Sequence, residues 1–204
     1  MLTLPLLAYG ITHLTDARYF AAWYPDYLCF PVGEGGLSLD YFTAIREWVE
    51  GPACVAEVGG AAGGDLSPTE CQDQGITHVL LDYGTDTMPY THQGVEVITR
   101  LPVAGYQSAL DVSEQLAELS GTVLIDFTDG GITWSDLVEG HPFSVGMLKE
   151  MIAERPVYVS IDLAPDEAEG AREAIYGLAV RGSSEEKVGY KSFDDLDSLL
   201  EALE

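Results

Sequence analysis

The feature that most constrains this chain is a regular alternation of apolar runs and helix-like stretches. Eight runs rich in β-branched residues begin near Leu4, Tyr27, Cys54, His78, Val95, Thr122, Val157 and Leu178. Most of them lack polar–apolar alternation, which is typical of parallel strands covered on both faces. Their starts lie about 18 to 34 residues apart, the length of a strand–loop–helix–loop unit.

This spacing predicts an α/β fold of the (βα)8 TIM-barrel type, with eight parallel strands. The 204 residues are compact beside the ~250 usual for that fold, and no linker or low-complexity tract divides them. We therefore expect a single domain over residues 1–204. A doubly wound open sheet stays open as an alternative, because a strand count from one sequence is easily wrong by two or three.

Helix-start signals separate several of the apolar runs. Ser38 precedes an apolar face, and Ser67-Pro68-Thr69-Glu70 is a capping box with proline at the first helical position. Asp111 to Glu114 shows a similar spacing and predicts a helix capped by Asp111, while Thr15 is expected to start the first helix. Leucines at 196, 199, 200 and 203 predict an amphipathic last helix.

Charge and cysteine usage exclude several functional classes. Asp and Glu total 34 against nine Lys and Arg, for a net charge of −25, so the chain repels nucleic-acid and anionic membrane surfaces. Scattered acids of this kind are typical of proteins adapted to salt-rich cytoplasm. The three cysteines form no metal-ligand pattern and fit a reducing, cytoplasmic location. No apolar stretch of about 18 residues predicts a membrane helix, and no secretory signal is expected.

Barrel chemistry is expected where strands end. The residues at those predicted positions are Tyr9, Pro31, Glu57, Asp82, Thr99, Asp126, Asp162 and Arg181. Converging carboxylates near one arginine fit either an acid–base pair or a divalent-cation site, whereas isolated ones would only cap helices or face water. Asp126 is the strongest candidate, because it ends the cleanest strand and precedes Asp129-Gly130-Gly131.

Several motifs carry a more specific resemblance. Gly10-Ile11-Thr12 is followed by Asp16-Ala17 and Phe30, and Val123–Gly131 reads VLIDFTDGG. Further matches are Pro156–Ser160 with Leu163, and Gly189-Tyr190-Lys191. In this order the motifs resemble those of phosphoribosylanthranilate isomerase, over nearly the whole chain. The resemblance implies a TIM barrel, an Amadori rearrangement in tryptophan biosynthesis with Asp126 as general acid, no cofactor, and a monomer or homodimer.

The departures from that family fall on its chemistry. The position of the family's general-base cysteine is Tyr9, and a phenol, with an unperturbed pKa of ~10, accepts protons poorly at neutral pH. The arginine that pairs the substrate carboxylate in the family falls on Gly35, and the family's Q-L-H of strand four becomes Leu80-Leu81-Asp82.

The family's phosphate cradle changes as well. Its S-G-G after strand seven becomes Ser160-Ile161-Asp162, and its strand-eight motif becomes Ala179–Ser183. Asp162 would repel a phosphate, although Arg181 would neutralise that carboxylate or pair with an anion itself. The candidate ligand-binding residues at these two strand ends are Ser160, Asp162, Arg181, Gly182 and Ser183.

We therefore expect an isomerase-like barrel in which the ancestral reaction is lost or altered, so the sequence leaves open whether the chain is an enzyme. Its candidate catalytic residues are Asp126, Tyr9 and Asp82. One alternative is a non-catalytic barrel that binds a small molecule or a partner. Another is a different acid–base or metal-assisted enzyme that uses Asp82, Asp126 and Asp162. No cofactor and no resident metal are expected.

Overall fold

The computed structural model describes residues 2–59, 66–182 and 192–204. Eight strands follow one another in sequence order around a closed barrel. They are β1 (Leu6–Tyr9), β2 (Tyr27–Pro31), β3 (Ala53–Val58), β4 (His78–Asp82), β5 (Glu96–Pro102), β6 (Thr122–Asp126), β7 (Val157–Ser160) and β8 (Gly177–Arg181). The predicted (βα)8 TIM barrel is confirmed, and the open-sheet alternative is wrong.

Helices occupy the connections between the strands. In the described ranges they are α1 (Leu14–Ala22), α2 (Leu39–Trp48), α3 (Pro68–Asp73), α4 (Met88–Thr91), α5 (Ala109–Glu118), α6 (Trp134–Glu139), α7 (Val145–Ile152), α8 (Ala168–Ala174) and α9 (Asp194–Ala202). Two helices, α6 and α7, lie between β6 and β7, and a 3₁₀ turn precedes α8. None of the helices described here is long and apolar enough to cross a membrane.

The chain divides into two compact units. One comprises Met1–Pro5, Arg100–Ala179 and Ser192–Glu204, and the other comprises Leu6–Thr99 and Val180–Lys191. In the second unit, β1, β2, β3 and β4 pair in parallel, with Cys29 opposite Val55 in the β2–β3 register. In the first, β6, β7 and β8 pair in parallel, with Asp126 opposite Ser160. The single domain over residues 1–204 stays a prediction.

The apolar runs became strands because both of their faces are covered. All four residues of β1 and all four of β7 are buried. On the outer face, the Phe30 ring of β2 packs against the Phe42 ring of α2, with 5.5 Å between ring centroids. Fully burying such a side chain stabilises the fold by about 1.5–3 kcal/mol.

The helix starts follow local side-chain chemistry. The Ser38 side chain accepts a hydrogen bond from the Tyr41 amide, and the Ser67–Glu70 capping box is present as predicted. The prediction that Asp111 caps α5 is wrong: Ser108 is the cap, and the Asp111 carboxylate accepts hydrogen bonds from the Ser108 amide and hydroxyl at 2.8 and 2.7 Å. These bonds lower the pKa of Asp111. Helix α1 begins at Leu14 rather than Thr15.

Two of the nine basic residues hold the ends of neighbouring helices. The Arg46 guanidinium donates to the Gln74 and Gly75 carbonyls just after α3, at 3.1 and 2.8 Å. The Arg155 guanidinium donates to the Leu116 and Leu119 carbonyls at the end of α5, at 2.6 and 3.2 Å. The last carbonyls of a helix lack the full set of intrahelical partners, and these arginines add charged donors to them; the Leu116 carbonyl also accepts from the Leu119 amide at 3.1 Å.

We expect Arg155→Ala to lower the free energy of unfolding by about 1.5–3 kcal/mol, since charged donors leave two part-buried carbonyls. Denaturant titration followed by circular dichroism measures the change. The matched control is Arg172→Ala, which removes the same charge from an exposed position on α8. If both variants lose the same free energy of unfolding, the loss comes from the change in net charge and not from the contact with the end of α5.

Candidate functional site

The end of β1 presents a covered phenol. Tyr9, the last residue of this strand, is fully buried. The guanidinium carbon of Arg181, the last residue of β8, lies 5.8 Å from the centroid of the Tyr9 ring. Arg181 itself is exposed, so its cation covers the aromatic face and keeps a solvated outer side. The end of β1 therefore carries a buried aromatic ring next to a cation.

A carboxylate from β3 reaches the same strand end. Glu57 is only 7% exposed, and its Oε1 accepts a hydrogen bond from the Gly10 amide at 2.5 Å. Hydrogen bonds to ionised acceptors are shorter and stronger than neutral ones. The contact fixes the first residue after β1 and uses an amide that lies directly beside the base position.

The backbone after β8 packs tightly against Tyr9 and Gly10 at the end of β1. The Gly182 amide donates to the Tyr9 carbonyl at 2.7 Å. A Cβ on Gly182 would lie 2.8 Å from the Gly10 carbonyl oxygen and 3.0 Å from Asp16 Oδ2, so only glycine fits. The amides of Gly10 and Gly182 are thus both bonded within the chain.

The three thiols of the chain are poor bases at neutral pH. Cys29 of β2 is fully buried, and burial together with the negative charge of Glu57 raises the pKa of its thiol well above the ordinary value. Burial also raises the pKa of Cys54 to about 11 and that of Cys71 to about 11. The three cysteines form no disulfide. No thiolate therefore takes over the role of the family's cysteine, because the nucleophilic and basic form of a thiol is its anion.

A second cluster lies at the ends of β6 and β7. Asp126 is fully buried, and its Oδ1 accepts hydrogen bonds from the Thr128 amide at 3.0 Å, the Thr128 hydroxyl at 2.5 Å and the Asp129 amide at 3.5 Å. These donors come from the loop that follows the strand, so the carboxylate shapes its own βα loop. This arrangement holds the side chain in one orientation.

The segment after β7 places a carboxylate in water. Ser160 is buried, and its carbonyl accepts a hydrogen bond from the Phe127 amide at 2.8 Å. Asp162 lies two residues beyond the strand end, with an exposed side chain. Its carbonyl accepts from the Trp134 amide at 2.9 Å, which ties this segment to the start of α6.

The structure agrees with most of the predicted strand ends. Tyr9, Pro31, Asp82, Asp126 and Arg181 each end a strand, as predicted. Thr99 does not: it is buried inside β5, which continues to Pro102. Asp82 is half-buried, and its carbonyl accepts from the Thr85 amide in a turn.

The clusters join some of the predicted site residues and leave others apart. One cluster contains Tyr9, Arg181 and Gly182, and a second contains Asp126 and Ser160. The predicted site residue Ser183 and the motif Gly189–Lys191 lie outside the described residues. Within the described ranges, no group of three His, Cys, Asp or Glu side chains is arranged to hold a metal ion. The catalytic and binding roles stay predictions.

Sequence reasoning missed the contact that Glu57 makes. Its signal was visible as a single charge in the otherwise apolar run ACVAEV. A strand buried on both faces tolerates a carboxylate only where the side chain finds a partner, so that residue deserved more weight than an average acid in this acidic chain.

Comparison with solved structures identifies the fold. No protein-family model matches the sequence, and no curated protein matches it. Monomers generated from the dimeric phosphoribosylanthranilate isomerase of Thermotoga maritima align with a TM-score of 0.69 and 16% identity, covering 98% of each chain. The Thermus thermophilus phosphoribosylanthranilate isomerase aligns with a TM-score of 0.68 and 19% identity, again covering 98% of each.

A different enzyme on this barrel is also similar. The 3-keto-L-gulonate-6-phosphate decarboxylase of Vibrio cholerae aligns with a TM-score of 0.58 and 12% identity, covering 100% of this chain and 98% of that one. At such identities the comparisons establish the fold alone. The resemblance found in the sequence motifs is confirmed at that level.

We expect Gly182→Ala to lower the free energy of unfolding by about 1–3 kcal/mol, because the added methyl overlaps the Gly10 carbonyl. The control is Gly105→Ala, where a Cβ meets no atom within 4 Å. Thermal and denaturant unfolding of both variants measure the difference. If Gly182→Ala is as stable as Gly105→Ala, the close approach at this junction is not real.

We expect Cys54 to react with the chromogenic disulfide DTNB about a hundredfold more slowly at pH 8 than a free thiol does, since its pKa of about 11 leaves little thiolate. The rate should rise about tenfold per pH unit below that pKa. Absorbance kinetics on the native protein measure it, and the unfolded chain, in which all three cysteines react, is the control. A native thiol reacting at the free-thiol rate at pH 8 would contradict the assigned environment.

Proposed function

We propose that this chain binds a small molecule at the C-terminal ends of its strands and does not isomerise phosphoribosylanthranilate. The observation that carries the proposal is the burial of Tyr9 beneath Arg181 at the position of the family's general base. An Amadori rearrangement needs one group that removes a proton and another that delivers one. A phenol is protonated at neutral pH and serves poorly as the first of these groups.

The hydrogen bonds of the Gly10 and Gly182 amides also weaken phosphate recognition. Backbone amides bind phosphate when they point at the ligand without an internal partner. Here the Gly10 amide is bonded to Glu57, and the Gly182 amide is bonded to the Tyr9 carbonyl. Asp162 adds an exposed carboxylate where the resemblance implies an anion site. These features favour a neutral or cationic ligand over a sugar phosphate.

A working isomerase is the second candidate, and one observation favours it. Asp126 occupies the general-acid position, is fully buried, and is held by the Thr128 amide and hydroxyl. These contacts hold the carboxyl group in one orientation at the strand end, as a group that exchanges a proton with a bound molecule must be held. This candidate still needs a base, which the buried phenol and the protonated thiols do not supply.

The cellular setting and the oligomeric state are part of the same proposal. We propose a cytoplasmic protein, monomeric or homodimeric, without a cofactor or resident metal, whose acidic surface is adapted to high salt. Three cysteines without a disulfide agree with a reducing compartment. A different enzyme that uses Asp82, Asp126 and Asp162 gains less support. Asp82 is half-buried, Asp126 is buried and Asp162 is exposed, so the three carboxylates do not share one environment. No group of side chains in the described ranges is arranged to hold a metal ion.

We expect no turnover of phosphoribosylanthranilate by the purified protein in high salt, measured by the loss of anthranilate-type fluorescence. Tyr9→Cys alone should not restore turnover, because the two backbone amides remain bonded within the chain. The positive control is the Thermus thermophilus isomerase under conditions where it is active.

Turnover by the wild-type chain that disappears in Asp126→Asn would contradict the proposal and establish the isomerase. Substantial recovery in Tyr9→Cys would show that only the base, and not the anion site, has changed.

A further inference from the structure

Glu57 is a buried acid that none of the roles above uses. Among the described residues, the buried polar side chains are Asp16, Glu57, Thr99, Asp126 and Ser160. Glu57 and Asp126 lie on strands near their C-terminal ends, where barrel chemistry takes place, whereas Asp16 lies on α1 with its Oδ2 close to the Gly182 backbone just after β8. Burying a carboxylate costs free energy, and such groups are enriched at functional sites.

The strand register places the Glu57 side chain on the inner face of the sheet. Phe30 packs outward on Phe42 of α2, so its neighbours Cys29 and Pro31 point inward. Glu57 is paired with Pro31 in the β2–β3 register and therefore shares that inner face. Its hydrogen bond to the Gly10 amide crosses in front of β2 to the end of β1.

Glu57 and Arg181 meet at the same residue. The carboxylate accepts from the Gly10 amide, and a Cβ on Gly10 would lie 3.3 Å from Arg181 Cγ. A negative acceptor and a positive side chain therefore flank one backbone position. This is the combination that proton transfer next to a carbonyl requires: one group takes the proton, and a cation stabilises the negative oxygen that forms.

We propose that Glu57 is the proton acceptor for the molecule that binds at this strand end, and that the molecule is a small carbonyl compound without a phosphate. The carboxylate forms an O–H bond as a C–H bond beside the carbonyl breaks, and the electron pair moves to the carbonyl oxygen to give an enolate. Arg181 stabilises the enolate. Where the carbon that lost its proton carries a hydroxyl, Glu57 returns the proton to the former carbonyl carbon. The hydroxyl proton passes to the enolate oxygen, so one α-hydroxy carbonyl compound becomes its isomer and no oxidant or further reactant is needed.

Tyr9 and Cys29, which lie close to Glu57, serve less well as the acceptor. Tyr9 carries a phenol, and the pKa of the Cys29 thiol is raised by burial and by Glu57. A phenol has an unperturbed pKa of about 10, and the raised pKa keeps the Cys29 thiol protonated at neutral pH. Glu57 also keeps a residual 7% exposure, whereas Tyr9 and Cys29 have none.

The test uses nitrobenzisoxazole, a neutral carbon acid that reports a reactive base. Removal of its ring C–H proton breaks the N–O bond and releases a yellow cyanonitrophenolate, which absorbance follows. We expect the wild-type chain to exceed the background rate of acetate at equal carboxylate concentration. Glu57→Gln should lower kcat/KM about a hundredfold. Glu34→Gln, at an exposed position after β2, is the matched control and should keep the wild-type rate.

The pH profile provides a second readout. The rate should rise with pH to a plateau, and Glu57→Asp should keep that shape at a lower plateau. If Glu57→Gln does not fold, the elimination rate of Glu57→Asp and the pH profile of the wild-type chain test the proposal instead. A wild-type rate equal to that of Glu57→Gln, or no rate above background, overturns the proposal.

The inference rests on the proposed function in one respect, namely that this end of the strands admits a small molecule. The proposed function and this inference can be contradicted independently of each other. Turnover of phosphoribosylanthranilate contradicts the proposed function without touching Glu57, while an elimination rate that does not depend on Glu57 overturns the inference and leaves the loss of isomerisation standing.

Discussion

Strands that are covered on both faces leave almost no place for a polar side chain except at their ends, and this constraint organises the molecule. Every residue of β1 and β7 is buried, and in the part of the chain that the structure describes the buried carboxylates lie near strand termini or in the first turn of α1. A carboxylate at such a place must find donors, because leaving it without them would cost several kcal/mol. Glu57 finds the Gly10 amide, and Asp126 finds Thr128.

The hydrogen-bond partners of the polar groups at the strand ends bear directly on function. A barrel that binds a sugar phosphate keeps backbone amides unbonded for the anion and a reactive base at the opening. In this chain the Gly182 amide is bonded to the Tyr9 carbonyl, and Arg181 lies over the Tyr9 ring. The fold shared with phosphoribosylanthranilate isomerases is therefore combined with strand ends whose polar groups largely bind one another.

The sequence predicts the barrel well because its strands are continuous apolar runs, a signal that needs no tertiary information. Serine caps at 38 and 67 are equally local. The α5 cap was wrong because Ser108 and Asp111 both begin an acceptable capping pattern, and only packing chooses between them. Thr99 was misplaced because β5 runs three residues further. The Glu57–Gly10 contact joins residues 47 positions apart, so it depends on strand register and no sequence period reveals it.

The central claim is that the Gly10 and Gly182 amides are committed to partners within the chain. The most direct measurement is ¹H–¹⁵N NMR of these two amides while inorganic phosphate, and then phosphoribosylanthranilate, is added in high salt. We expect both amide protons to exchange slowly, neither resonance to move on addition of either anion, and the Gly10 resonance to shift in Glu57→Gln. Saturable shifts of both resonances on adding phosphate would contradict it, because they would place an anion where the chain holds its own acceptors.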